Sequence, residues 1–390
     1  MKKKIIRMSL IVFMALGVMG PGHAIKARAE TAELPEPELT IQNAQSASLT
    51  AVAFSPNGKL LATGTSEKFV QLWELSTGGL VRTLEGHANS ISSVAFSPDG
   101  QTLASASWDS TIKFWETNRG RLMRTLEAHS PVQGVAYSPF GRILASANLD
   151  KTIRLWEANS GKFLKTLTGH SDGVISIAFG PDATLASASS DKTIKLWEIS
   201  SGRVLRTLTG HAKALSSVAF SPDGSLLASG SSDKTAKLWD PKSGRLLLTL
   251  EGHAEAVLAV AFSPDGKILA TASADQTIKL WEVSSGRLLR TLAGHTDAIW
   301  ALAISPQGRY LVSVSYDTRI KFWGLKEGKI LCTILPLGKQ DWLHYTPEGY
   351  FDASPNGKRH ICWTVGTTLY PPDKFWDRFY RPGLFAKVVR

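Results

Sequence analysis

Seven tryptophans, Trp73, Trp115, Trp156, Trp197, Trp239, Trp281 and Trp323, stand 42, 41, 41, 42, 42 and 42 residues apart. No helix or strand has so long a period, so it must belong to a supersecondary unit that recurs along the chain. The residues around each tryptophan recur with it, as in "SASWDSTIKFWETNRGRLMRTLEAH", "SASSDKTIKLWEISSGRVLRTLTGH", "SGSSDKTAKLWDPKSGRLLLTLEGH" and "TASADQTIKLWEVSSGRLLRTLAGH". A unit of this length cannot bury its own apolar strands, and its neighbours must cover them.

Within one unit, "ISSVAFSPDGQTLASASWDSTIKFW" reads as strands joined by turns. "SVAF" is short, apolar and rich in β-formers. "SPDG" sets Pro and Asp centrally with Gly after them, as in a type I hairpin turn followed by a bulge. "TLASAS" is a second strand whose small residues permit close approach between sheets. Asp109-Ser110 breaks the run, "TIKFW" is the third strand, and "TNRG" turns into the fourth, "RLMRTL". The strands are almost continuously apolar, which predicts sheets covered on both faces. Arranged as a closed ring, such sheets leave only short edges.

The period, the Gly-His and Trp-Asp/Glu signposts and the four-strand pattern resemble the WD40 repeat. The resemblance implies an all-β propeller with seven clear four-stranded repeats over residues 49–335. The literal dipeptide occurs once, at Trp239-Asp240; five copies carry Trp-Glu and the seventh carries Trp323-Gly324.

Each full unit also carries a serine or threonine, an aspartate and a histidine, the residue types of a hydrolytic triad. The sets are His87/Ser105/Asp109/Trp115, His129/Ser146/Asp150/Trp156, His170/Ser187/Asp191/Trp197, His211/Ser229/Asp233/Trp239, His253/Thr271/Asp275/Trp281 and His295/Ser313/Asp317/Trp323. The WD40 resemblance implies a buried hydrogen-bond chain in each. Asp accepts from His, His meets the strand hydroxyl, and the hydroxyl meets the indole N–H. A second serine competes for the hydroxyl position in several units. Each polar group left unpaired under a packed loop would cost about 1–3 kcal/mol. Catalysis needs one activated nucleophile beside an oxyanion hole, not a set repeated around a ring. No catalytic, cofactor or metal residue is therefore assigned. The first unit has Gln45 for His and Glu67 for Asp, which predicts the most weakly fixed blade.

The ends differ from the middle. "MKKKIIR", the thirteen-residue apolar run Met8–Gly20 and Ala27-Arg28-Ala29 form the sequence of a secretory signal peptide. The run falls short of the roughly 20 residues that span a bilayer. Residues 1–29 are expected to be removed after Ala29, placing the protein in the periplasm or outside the cell. They hold six Lys/Arg and no acid, so the net charge falls from +11 to +5. Cys332 and Cys362 are compatible with a disulfide in such a compartment or with two separate buried thiols.

In residues 30–48, "ELTIQ" (38–42) aligns with a fourth strand that lacks a blade of its own. Residues 336–370 read as a degenerate eighth repeat: "WLHYTPEG" mimics "WALAISPQG", and Trp363 lies 40 residues after Trp323. Two closures follow. Either seven blades close with the tail outside, or the tail supplies three strands of an eighth blade that "ELTIQ" completes. In the tail, 371–390, "DKFWDRFY" reads as a short amphipathic helix whose Phe375, Trp376 and Phe379 pack on the ring. The segments "DWLHYTPEGYFDASPNG", "CWTVG" and "FYRPGL" resemble the end of WD40 regions in bacterial proteins, some of which carry a caspase-like peptidase domain. Neither cysteine here lies in a nucleophile motif.

Repeated residues build the units, so recognition is expected where the units differ. The residue before each turn acid is Ser66, Trp108, Leu149, Ser190, Ser232, Ala274 or Tyr316. A second series, at the start of each first strand, is Thr50, Ser92, Gln133, Ile175, Ser216, Leu258 and Trp300. Trp108, Leu149, Ile175, Leu258, Trp300 and Tyr316 make a candidate apolar rim or, alternatively, contacts between blades. Trp300 and Tyr316 share a blade. Lys192, Lys195, Arg203 and Arg206 have counterparts in most units, which suits a solvated outer wall rather than a nucleic-acid patch. The function expected is a non-catalytic, monomeric scaffold binding protein partners through the loop face. The alternative is a lactonase- or quinoprotein-like enzyme with a central-channel site, for which Asp172, Glu255 and Asp297 are loop candidates.

Overall fold

A computed structural model describes residues 36–42 and 46–389, so the signal-peptide segment and Gln45 lie outside the described residues. The repeats form seven antiparallel sheets, six of four strands and the last extended to six. The inner strands are Leu49–Phe54, Ile91–Phe96, Val132–Tyr137, Val174–Phe179, Leu215–Phe220, Val257–Phe262 and Ile299–Ile304. The outer strands are Leu80–Glu85, Leu122–Glu127, Phe163–Leu167, Val204–Thr209, Leu246–Leu250, Leu288–Ala293 and Ile330–Leu337. Consecutive inner strands pack side by side, and the first packs on the seventh, closing a seven-bladed ring.

Local chemistry makes the blades and small side chains bring them together. In the turn after the second inner strand, the Ser97 hydroxyl bonds Asp99 at 2.5 Å and accepts the Thr102 amide at 3.0 Å. Gly100 takes φ 70, which an L side chain resists. Between blades, small residues of one sheet meet branched ones of the next. Ala145, Ala147, Ile153 and Leu155 of blade three share a core with Val174, Ile177, Leu185 and Trp197 of blade four. Each tryptophan thus serves the joint with the preceding blade.

The segment aligned with an eighth repeat makes no blade in the ring. Five residues separate the sixth outer strand from the next inner strand, enough to cross from the rim to the axis. Only three residues, 338–340, follow Ile330–Leu337, and so short a link makes a hairpin. Asp341–Tyr345 accordingly pairs antiparallel with the outer edge of blade seven, Thr333 opposite Tyr345, and Phe351–Ala353 adds a sixth strand. The termini do meet: Glu38–Ile41 pairs with Ile361–Val365, Leu39 opposite Trp363, in a separate three-stranded sheet.

The aromatics of "DKFWDRFY" pack among the C-terminal strands, in a core that reaches the ring at Leu335 and Leu337 of the seventh outer strand. Phe379 lies 4.6 Å from Trp363 and Trp376 lies 5.2 Å from Phe351, between ring centroids. The ring is met by the last helix, Leu384–Val388, whose fully buried Phe385 joins a core shared by blades one and seven. Cys332 and Cys362 are both free and buried. Among the described residues no helix is long and apolar enough to cross a membrane.

Candidate functional site

The histidines of the polar sets lie in the loops that lead into the inner strands. In blade four, His170 Nδ1 lies 2.7 Å from Asp191 Oδ2 and His170 Nε2 lies 2.7 Å from Ser187 Oγ. Trp197 Nε1 donates to the same Oγ at 2.8 Å. A carboxylate only accepts and an indole N–H only donates, so Nδ1 carries the proton and the hydroxyl donates to Nε2. The same chain links His87, Ser105, Asp109 and Trp115. It recurs in His211, Ser229, Asp233 and Trp239, and in His253, Thr271, Asp275 and Trp281. His295, Ser313, Asp317 and Trp323 complete the series. The competing serine ties turn to loop instead, since Ser189 accepts the Asp191 amide and donates to the Asp172 and Gly173 carbonyls.

The connectivity is that of a serine-hydrolase triad, yet the hydroxyl is no nucleophile. Ser187 is fully buried, and its oxygen already accepts a hydrogen bond from the indole N–H of Trp197. Burial holds His170 below its ordinary value of 6.5 against the opposing Asp191 bond, so the ring stays neutral. Burial also works to raise Asp191, but bonds from the Thr193 hydroxyl, His170 and the Ser171 amide outweigh it and bring the carboxyl to about 2.

Blade three departs from the expected set. His129 is exposed and bonds neither Asp150 nor Ser146. Asp150 instead takes Arg154 Nη2 at 2.6 Å, and Ser130 Oγ accepts the Asp150 amide at 3.0 Å to fasten the loop. Trp156 keeps its bond to Ser146 at 3.1 Å. The cause lies one residue earlier. Gly86, Gly169, Gly210, Gly252 and Gly294 precede the other histidines with φ between 134° and 158°. Blade three has Ala128 there, for which such φ values are strained, and its loop is one residue shorter. His129 takes φ 55 and faces outward. In blade one, Trp73 bonds Thr63 at 3.0 Å, and the C-terminal hairpin supplies the missing brace. There Gly338 accepts from Gln71 at 3.0 Å, and Lys339 pairs with Glu85 at 2.6 Å.

The variable positions divide. In the inner-strand series, Thr50 donates to the Ile91 carbonyl at 2.6 Å and Ser92 to the Val132 carbonyl at 2.5 Å. Ser216 does the same to Val257. These short residues are fasteners between blades. Ile175 and Leu258 are half-buried. Trp108 and Leu149 are exposed, 48% and 41%. Trp300 and Tyr316, 36% and 37% exposed, stack with centroids 5.0 Å apart and planes at 17°. Burial, reinforced by Asp297, holds the Tyr316 phenol above its ordinary value.

Charged candidates serve local structure. Asp172 accepts the Gly173 amide, Asp297 accepts the Ala298 amide, and Glu255 pairs with Lys234, each on a different blade. Lys192, Arg203 and Arg206 are exposed. Lys195 is not free in solvent as expected: its Nζ donates to Thr207 at 2.9 Å, as Lys113 does to Thr125 and Lys237 to Thr249.

A closed seven-bladed propeller with internally satisfied polar sets defines a repeat-built binding class. Within that class the assignment is direct. The WD domain, G-beta repeat family matches residues 36–74, 78–116, 120–157, 161–198, 202–240, 244–282 and 286–324. The matches cover more than half of the chain, which belongs to this family. Each match after the first starts in the turn two residues before the outer strand of one blade and ends at the close of the third strand of the next, so sequence repeat and structural blade are staggered. Separately, 61 residues are 43% identical to the probable serine/threonine-protein kinase PkwA of Thermomonospora curvata. They make up 16% of this chain and 8% of that protein.

Proposed function

We propose that this chain is an exported, monomeric, non-catalytic scaffold whose loop face binds a protein partner, with the Trp300–Tyr316 stack as anchor. One observation carries the choice of site: two large rings lie stacked and open to solvent at positions where the repeats diverge. Rigid aromatics of this kind supply much of the binding energy of protein interfaces. Trp108 and Leu149 extend the apolar surface on blades two and three. The buried hydroxyls of the polar sets support the non-catalytic reading, and the lysines spent on the outer-strand threonines speak against nucleic acid as ligand. Export rests on the order of basic, apolar and small residues in 1–29.

A photo-crosslinking residue at position 300, in cells that make the protein, tests the site. The expected outcome is one enriched protein adduct that a crosslinker at Lys242, in the turn before the outer strand of blade five, does not capture. Trp300→Ala or Tyr316→Ala should then weaken that partner by about 30-fold or more, a hot-spot loss, without lowering the thermal midpoint. Equal adduct patterns at both positions would remove the site. Export is tested by N-terminal sequencing of the protein outside the cytoplasm, where Glu30 is expected first. Stoichiometric metal or cofactor in the purified protein would favour the central-channel enzyme instead.

A further inference from the structure

The outer wall repeats one contact at each joint between blades. The third residue of the outer strand is Arg82, Arg124, Lys165, Arg206, Leu248, Arg290 or Cys332, in order of blades. Where it is cationic, its stem lies over a turn glycine of the next blade: Arg82 over Gly120, Arg124 over Gly161, Lys165 over Gly202, Arg206 over Gly244 and Arg290 over Gly328. Arg82 and Lys165 also reach turn carbonyls, those of Asn118 and Ser200, each at 2.8 Å.

Two joints depart from this rule. Between blades seven and one, Cys332 is short, and the chain's own Phe385 fills the space. Its ring meets Phe322 edge-on at 4.9 Å and lies against Gly78, with Val388 and Val389 in the same core. Between blades five and six, Leu248 is likewise uncharged; its side chain and that of Leu250 lie over Gly286, and among the described residues no aromatic ring is added there as Phe385 is at the other joint. Beside them lies a mostly apolar cavity of about 680 Å³ whose wall includes Leu226, Leu238, Leu247, Leu248, Ile268 and Leu289, with Lys267 and Glu282 among its polar residues. Leu238 holds the register position that Phe322 holds in blade seven. The joint between blades four and five keeps Arg206, and its cavity is about 350 Å³.

We propose that the joint of blades five and six is a second docking site. It takes one phenylalanine carried on a single helical turn of a partner protein, as the joint of blades seven and one takes Phe385. The filled joint is the template for the open one, since both lack the cation whose stem lies over the turn glycine at the other five. The volume lies in the range of pockets that hold a ligand group, roughly 300–1,000 Å³. The proposal is independent of the loop-face reading.

The test uses a fluorescent peptide of residues 381–389, RPGLFAKVV, titrated against the purified chain by anisotropy. Saturable binding is expected, weakened at least tenfold by Leu248→Arg in the protein or by alanine for Phe385 in the peptide. Leu248→Arg installs the residue found at four other joints, so its thermal midpoint should match or exceed the wild type, which separates a closed groove from a misfolded chain. Trp300→Ala should leave peptide binding unchanged. No saturable binding, or binding undiminished in Leu248→Arg, overturns the proposal. So does self-association of the chain that Leu248→Arg abolishes, which would give the groove to a second copy.

Discussion

At the scale of residues, one buried hydroxyl shared by an indole and an imidazole carries the fastening. Ser187→Ala strips Trp197 of its acceptor and His170 of its donor, and should cost about 1–3 kcal/mol in urea unfolding. Ser146→Ala takes the acceptor from Trp156 and a long bond from the Arg154 carbonyl but no histidine partner, and should cost less; equal losses would mean that His129 is engaged after all. Protons report on the same chains. The unfolded histidines titrate near 6.5 while the five bonded ones lie lower, so the folded state binds fewer protons below that pH. Stability should be flat above pH 6.5 and fall as pH drops from 6.5 toward the folded histidine values. A second decline is expected from pH 3.8 toward about 2, as Asp191, Asp233 and Asp275 protonate. A thermal midpoint that rose between pH 7 and pH 5 would contradict neutral histidines. The six sets are legible as residue types, and five assemble. The sixth fails on backbone grounds that the sequence also holds: Ala128 for glycine, and only four residues, 128–131, between the outer strand and the inner strand that follows, where the other sets have five or six.

At the scale of elements, the seven blades are readable because each turn and strand repeats its own chemistry. The tail is not, because a degenerate copy keeps the strand pattern while losing the loop length that directs a strand to the axis. Residues 338–340 decide the matter by making a hairpin, and the helix that follows reaches the ring through Phe385, which no repeat predicts. Its only trace in the sequence is Cys332, where most blades carry Arg or Lys. Phe385→Ala should destabilise the protein by about 3–5 kcal/mol, the usual cost of emptying a large aromatic site. The loss should be local. Amide hydrogen exchange is expected to quicken in Leu49–Phe54 and Ile299–Ile304 while Val174–Phe179 and Leu215–Phe220 stay as before. Uniform quickening across all blades would mean that Phe385 does not guard one joint.

At the scale of the whole molecule, the closure of the ring does not depend on a blade shared between the termini. Each of the seven blades draws its four strands from one continuous stretch, and the N-terminal strand Glu38–Ile41 joins the tail instead. What crosses the last joint is a strap laid over it from outside. Its hairpin bonds Gln71 and Thr83 of blade one, His344 donates to the Gly78 carbonyl at 3.0 Å, and Phe385 fills the groove between them. Strap and ring are therefore separable in principle, with the strap adding stability to a ring already complete in strands. A chain ending at Leu337 and beginning at Ser46 should still fold, with near-UV circular dichroism of the packed tryptophans retained and a lower thermal midpoint. Its exposed Leu80, Phe322 and Leu331 would make it prone to associate at high concentration. If that fragment were unfolded at 25 °C and low concentration, the inner-strand contact of blades one and seven would be too weak to close the ring, and the strap would be part of the closure itself.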